Sequence, residues 1–99
     1  MPPASRIGDK TTGHGCFPST IIVSQVNPPT SPVLINNIPV ARVGDKVNVH
    51  TCGDSLHESV IDTGSSSVKA GGQSVARIAD LTTCGDVIAT GSGNVIVGG

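Results

Sequence analysis

The chain has 99 residues, a formal net charge of −1 and 36% hydrophobic residues, and Phe17 is its only aromatic side chain. That length fits one domain, the charge gives no electrostatic case for nucleic acid or an anionic membrane, and no apolar run is long enough to span a bilayer. A core of Val, Ile, Leu and Ala in so small a domain is marginal, so a staple or a partner is expected.

Thirteen Gly and seven Pro argue for many turns and against long helices. The opening Met1-Pro2-Pro3-Ala4-Ser5-Arg6 lacks the apolar stretch of a signal peptide. It leads into Arg6-Ile7-Gly8-Asp9, which returns as Arg42-Val43-Gly44-Asp45 and again as Arg77-Ile78-Ala79-Asp80. These are the three arginines of the chain, 36 and 35 residues apart. Each follows a related tripeptide: Pro3-Ala4-Ser5, Pro39-Val40-Ala41 and Ser74-Val75-Ala76. Next come His14-Gly15-Cys16 and the β-branched run Ile21-Ile22-Val23, then Asn27 to Asn37, a diverged copy of a later segment. Val33-Leu34-Ile35 reads as a short strand closed by an Asn36-Asn37 turn.

After Arg42 come His50-Thr51-Cys52 and His57. Val60-Ile61-Asp62-Thr63-Gly64-Ser65 then matches Val87-Ile88-Ala89-Thr90-Gly91-Ser92, and each copy ends in a Gly pair, Gly71-Gly72 and Gly98-Gly99. Val95-Ile96-Val97 reads as a last strand. A fixed period defines an architecture. The expectation is a single all-β domain over residues 1–99, of three pseudo-symmetric units at about 3–38, 39–73 and 74–99, which leave no segment for a separate catalytic domain. Each Arg travels with its own Asp, so the pairs are read as local pins of a turn rather than as an anion site.

His14 and His50 each lie eight residues after the repeat arginine, and Cys84 lies seven after it. Equivalent loops of three units would bring them together near a pseudo-axis, and His57 adds a fourth donor. Three imidazoles and one thiolate make a tetrahedral zinc set with no open position, hence a structural zinc. Cys16 and Cys52 hold equivalent places two residues beyond a histidine and can be extra ligands, a disulfide or small buried apolar residues. With no nucleophile elbow and no segment left over, no enzymatic activity is expected.

The Pro-x-x-Arg-x-Gly-Asp element, the His/Cys loop after it and the Gly-Ser-x-x-Val turn resemble the PAAR-repeat family over essentially the whole chain. Ser74 stands in place of Pro and Ala79 in place of the usual Gly. The resemblance implies a cone that caps and sharpens the trimeric VgrG spike of a bacterial type VI secretion system. It also implies a zinc ion near the point, which maps onto His14, His50, His57 and Cys84. The three-fold internal repeat leads to the expectation of one chain per VgrG trimer, and the resemblance implies a role in attaching effectors, assembly in the bacterial cytoplasm, and secretion by the apparatus to puncture a target membrane. The chain looks like the form without an appended effector domain. A stand-alone zinc-binding or thiol redox module is the competing reading.

Overall fold

The computed structural model describes residues 2–26 and 33–98, with the backbone alone at His57. Among the described residues there is no helix. The strands are β1 (Ile22–Ser24), β2 (Leu34–Ile35), β3 (Ile38–Pro39), β4 (Lys46–Cys52), β5 (Ser55–Val60), β6 (Lys69–Ala70) and β7 (Gln73–Ser74). They form one antiparallel sheet in the order β1-β4-β5 and two small hairpins, β2-β3 and β6-β7. The body extends 39 × 27 × 23 Å. The all-β expectation holds.

Short strands cannot hold a fold together by their own ladders, and here the backbone bonds between repeats take over. Ser5 N donates to Ala76 O, Ala41 N to Ser5 O and Ala76 N to Ala41 O, each at 2.9 Å, so three equivalent residues close a ring. A second ring runs through the next residues of the motif. Ile7 N bonds Pro39 O at 2.9 Å, Val43 N bonds Ser74 O at 2.9 Å and Ile78 N bonds Pro3 O at 3.0 Å. The same three-fold relation recurs at Ile22, Ile61 and Ile88, whose N–H groups donate to the carbonyls of Asp9, Asp45 and Asp80.

The core is layered along these rings. One cluster holds Ala4, Val40 and Val75 with Ile35, Ala70 and Val97. A second holds Ala41 and Ala76 with Ile22, Ile61, Ile88 and Val47. Ile22, Ile61 and Ile88 are at most 1% exposed, and each such burial stabilises by roughly 1.5–3 kcal/mol.

Each motif forms the same turn. The Asp carboxylate accepts the backbone N–H of its own Arg at 2.7 Å in all three copies, and Asp N bonds back to Arg O at 3.0–3.1 Å. Arg6 and Arg77 add Nε contacts to their acids at 3.1 and 3.0 Å. Arg42 and Asp45 are wholly buried, and the Arg42 guanidinium also donates to Ala70 O and Val26 O. The arginines are therefore turn pins. The Asn36-Asn37 turn has φ of 54° and 65°, the left-handed pair that its type I′ chemistry requires, and Gly71-Gly72 repeats it.

Two elements differ from expectation. Val95-Ile96-Val97 makes a single bridge, Ile96 to Pro3, because its partner segment begins Pro2-Pro3 and proline has no N–H to extend a ladder. His50 is not in a loop but on β4, the longest strand. Of the diverged copy from Asn27 to Asn37, residues 27–32 lie outside the described residues.

Candidate metal centre

β4 carries His50 inward by an irregularity. Val47 and His50 are three residues apart, so a regular strand would send them to opposite faces. Val47 pairs with Ser59 and His50 with His57, which leaves one extra residue on β4 between the two pairs. This bulge restores the face, and Val47 and His50 are 1% and 5% exposed. The register sets His57 directly opposite His50; its side chain lies outside the described residues.

His14 starts a tight turn in which His14 N bonds Phe17 O at 3.0 Å and Phe17 N bonds His14 O at 2.9 Å. Cys84 sits in a third turn, where Thr82 N bonds Asp86 O at 2.9 Å. The donor atoms of His14, His50 and Cys84 all lie within 4.8 Å of one another, and Cys84 Sγ is 3.7 Å from His50 Nε2. Phe17 packs its ring 5.0 Å from His14 and 5.1 Å from His50. The only aromatic side chain of the protein thus walls this cluster, a role that composition alone did not reveal.

The donor chemistry suits a metal ion. His50 Nδ1 donates to Pro18 O at 2.8 Å, which fixes the proton there and turns Nε2 toward Cys84. Burial pushes the Cys84 thiol up, but hydrogen bonds from Thr82 and Ser59, the Asp86 backbone and His50 outweigh it and bring the thiol down to about 6. Burial pulls His50 down, and the Pro18 carbonyl, Cys84 and Asp86 outweigh it, so the imidazole is held above its ordinary value. A lowered thiol beside an imidazole whose Nδ1 is engaged by Pro18 O offers a soft cation one sulfur and one nitrogen donor.

Cys16 and Cys52 form a disulfide with Cα atoms 5.5 Å apart, which resolves the alternatives left open by their spacing. The third equivalent position, two residues after Cys84, is Asp86. It is 1% exposed, its Oδ1 accepts from Thr12 Oγ1 at 3.4 Å, and its Oδ2 lies 4.0 Å from His50 Nδ1. Sequence comparison missed this match because the third loop is one residue shorter; counting from Cys84 instead of from Arg77 would have found it.

No curated protein matches the chain. A family model described as the PAAR motif matches residues 18–90.

Proposed function

The chain belongs to the PAAR-motif family, a family of type VI secretion spike-tip proteins that associate with VgrG, and on that premise we propose that it caps and sharpens a trimeric VgrG spike as a single chain. The observation that carries this reading is the closed ring of Ser5, Ala41 and Ala76. One polypeptide with three equivalent edges meets a three-fold partner without itself forming a trimer. The three units at about 3–38, 39–73 and 74–99 supply those edges.

The docking face is the end bordered by the first core cluster. There Leu34 and Ile96, at equivalent places beside the buried Ile35 and Val97, are 52% and 57% exposed, and Val33 and Val68 are 47% and 39% exposed. A small apolar patch, with Lys69 at the third place equivalent to Leu34 and Ile96, suits burial against the flat end of a spike. At the other end, His14, His50 and Cys84 with His57 hold one zinc ion, which draws the windings together where little apolar surface is available. The role is mechanical, with no catalytic step. The protein assembles in the cytoplasm and leaves with the spike, with effectors attached to the spike tip as further cargo.

Native mass spectrometry of the chain mixed with a VgrG trimer tests this. One chain per trimer is expected, and Leu34→Asp with Ile96→Asp should abolish the complex while leaving the metal content unchanged. Three chains per trimer, or a complex indifferent to both substitutions, overturns the reading.

A further inference from the structure

We propose that the Cys16–Cys52 disulfide is a redox latch on the metal cluster: closed, it holds the segments bearing His14 and His50 at ligand distance, and opened by thiol exchange it loosens the ion. The inference rests on the reading of His14, His50 and Cys84 as metal ligands.

The placement of the bond carries the argument. Each cysteine lies two residues beyond a histidine whose donor atom belongs to the cluster. The bond thus joins the two histidine segments and no other pair. Those segments come from different repeats, 36 residues apart in sequence. The third donor has no such tie: Asp86 takes the equivalent place, and the turn from Thr82 to Asp86 holds Cys84 by its own hydrogen bonds. A bond that only stapled the fold could sit between any two repeats. This one sits within two residues of two imidazole donors, His14 and His50. Fixing donors before the ion arrives removes ordering cost from the binding step.

The bond is also within reach of a reductant, since Cys16 is exposed and Cys52 half-buried. A thiolate of a cellular dithiol attacks Cys16 Sγ, the S–S bond breaks, and its electron pair leaves on Cys52 Sγ, which takes up a proton. The second thiol of the reductant then displaces Cys16, which is protonated in turn. Two electrons and two protons pass from the dithiol to the protein, and the dithiol becomes a disulfide. Oxidation by a low-molecular-weight disulfide reverses each step.

Linkage makes the effect measurable from both sides. If the closed form binds zinc tenfold more tightly, saturating zinc makes the disulfide harder to reduce by the same factor, which is about 30 mV for a two-electron couple. The experiment measures zinc affinity of the oxidised and reduced protein by chelator competition. It also measures the reduction potential of the disulfide in glutathione buffers, with and without zinc, by trapping free thiols for mass analysis. The expected result is at least tenfold weaker zinc binding in the reduced protein, a matching fall in potential with zinc, and weakened binding in Cys16→Ser/Cys52→Ser. Equal affinities with equal potentials overturn the latch and leave the metal site standing. Tighter binding by the reduced protein overturns it too, by showing the freed thiols to be ligands. Zinc binding by neither form refutes the metal reading itself, and the latch with it. Should the double variant fail to fold, the potential of the wild-type bond with and without zinc still decides.

Discussion

Arg42→Met separates the three motif arginines by burial alone. Arg42 and Asp45 are both 0% exposed, whereas the side chains of Arg6 and Asp9 keep 18% and 9% of their surface. Methionine fills similar volume but removes the charge facing Asp45 and the donors to Ala70 O and Val26 O. Breaking one side of a buried pair costs about 3–5 kcal/mol; the same change at Arg6, whose side chain keeps 18% of its surface, should cost less. Against a total of roughly 5–15 kcal/mol for a domain of this size, the first loss is severe. With an m-value of about 2 kcal/mol/M, the urea midpoint of Arg42→Met falls by about 2 M. Burial pushes the Asp45 carboxyl up from its ordinary value against the opposing N–H groups of Val26 and Arg42 and the Arg42 charge. A raised carboxyl means the folded state binds that proton more tightly, so the stability of this site is greatest below about 3.8 and declines as pH rises through the raised value. The deficit of Arg42→Met should accordingly shrink on acidification toward pH 4. Equal midpoints for Arg6→Met and Arg42→Met, or a deficit that grows as pH falls, would refute the reasoning.

Ala79 holds φ of 78° where Gly8 and Gly44 hold 95° and 94°, and a side chain there costs roughly 1–2 kcal/mol, so Ala79→Gly should raise the melting temperature by several degrees in a calorimetric scan. A Cβ at Gly91 would stand 2.6 Å from Ala4 O and one at Gly93 would meet nothing; Gly91→Ala should therefore lose about 1–3 kcal/mol in urea titration while Gly93→Ala loses none. Cys84→Ser should abolish stoichiometric zinc by elemental analysis, whereas Cys16→Ser and Cys52→Ser keep one ion at saturating metal. In the metal-free protein, alkylation of Cys84 by iodoacetamide should rise with an inflection near pH 6, in line with the thiol lowered to about 6, and zinc should suppress it.

Much of this was legible because the repeat is written in residues that each do one local job. Arg, Asp and the two residues between them specify a turn, and three copies 36 and 35 residues apart specify how the turns stack. The Asn36-Asn37 turn could be read from side-chain chemistry alone. The hairpin of β4 and β5 could not, because the bulge between Val47 and His50 breaks the alternation that marks a strand, and a spacing of three reads as no strand at all. Phe17 was invisible for a different reason: one aromatic residue has no period, and its contact with His50 exists only after two repeats have folded together. Asp86 was hidden by a single-residue deletion in the third loop.

The ring of Ser5, Ala41 and Ala76 also sets an order of events in synthesis. Its bond from Ser5 to Ala76, like the bonds from Ala4 to Val95 and from Val97 to Pro2, joins the first repeat to the third. Closing such long loops costs entropy before any contact offsets it, and contacts of this span slow folding. While the third repeat is still in the ribosomal tunnel, the first two lack the partner that completes each ring. All three repeats must therefore be clear of the ribosome before the rings close, and until then the first two expose apolar edges.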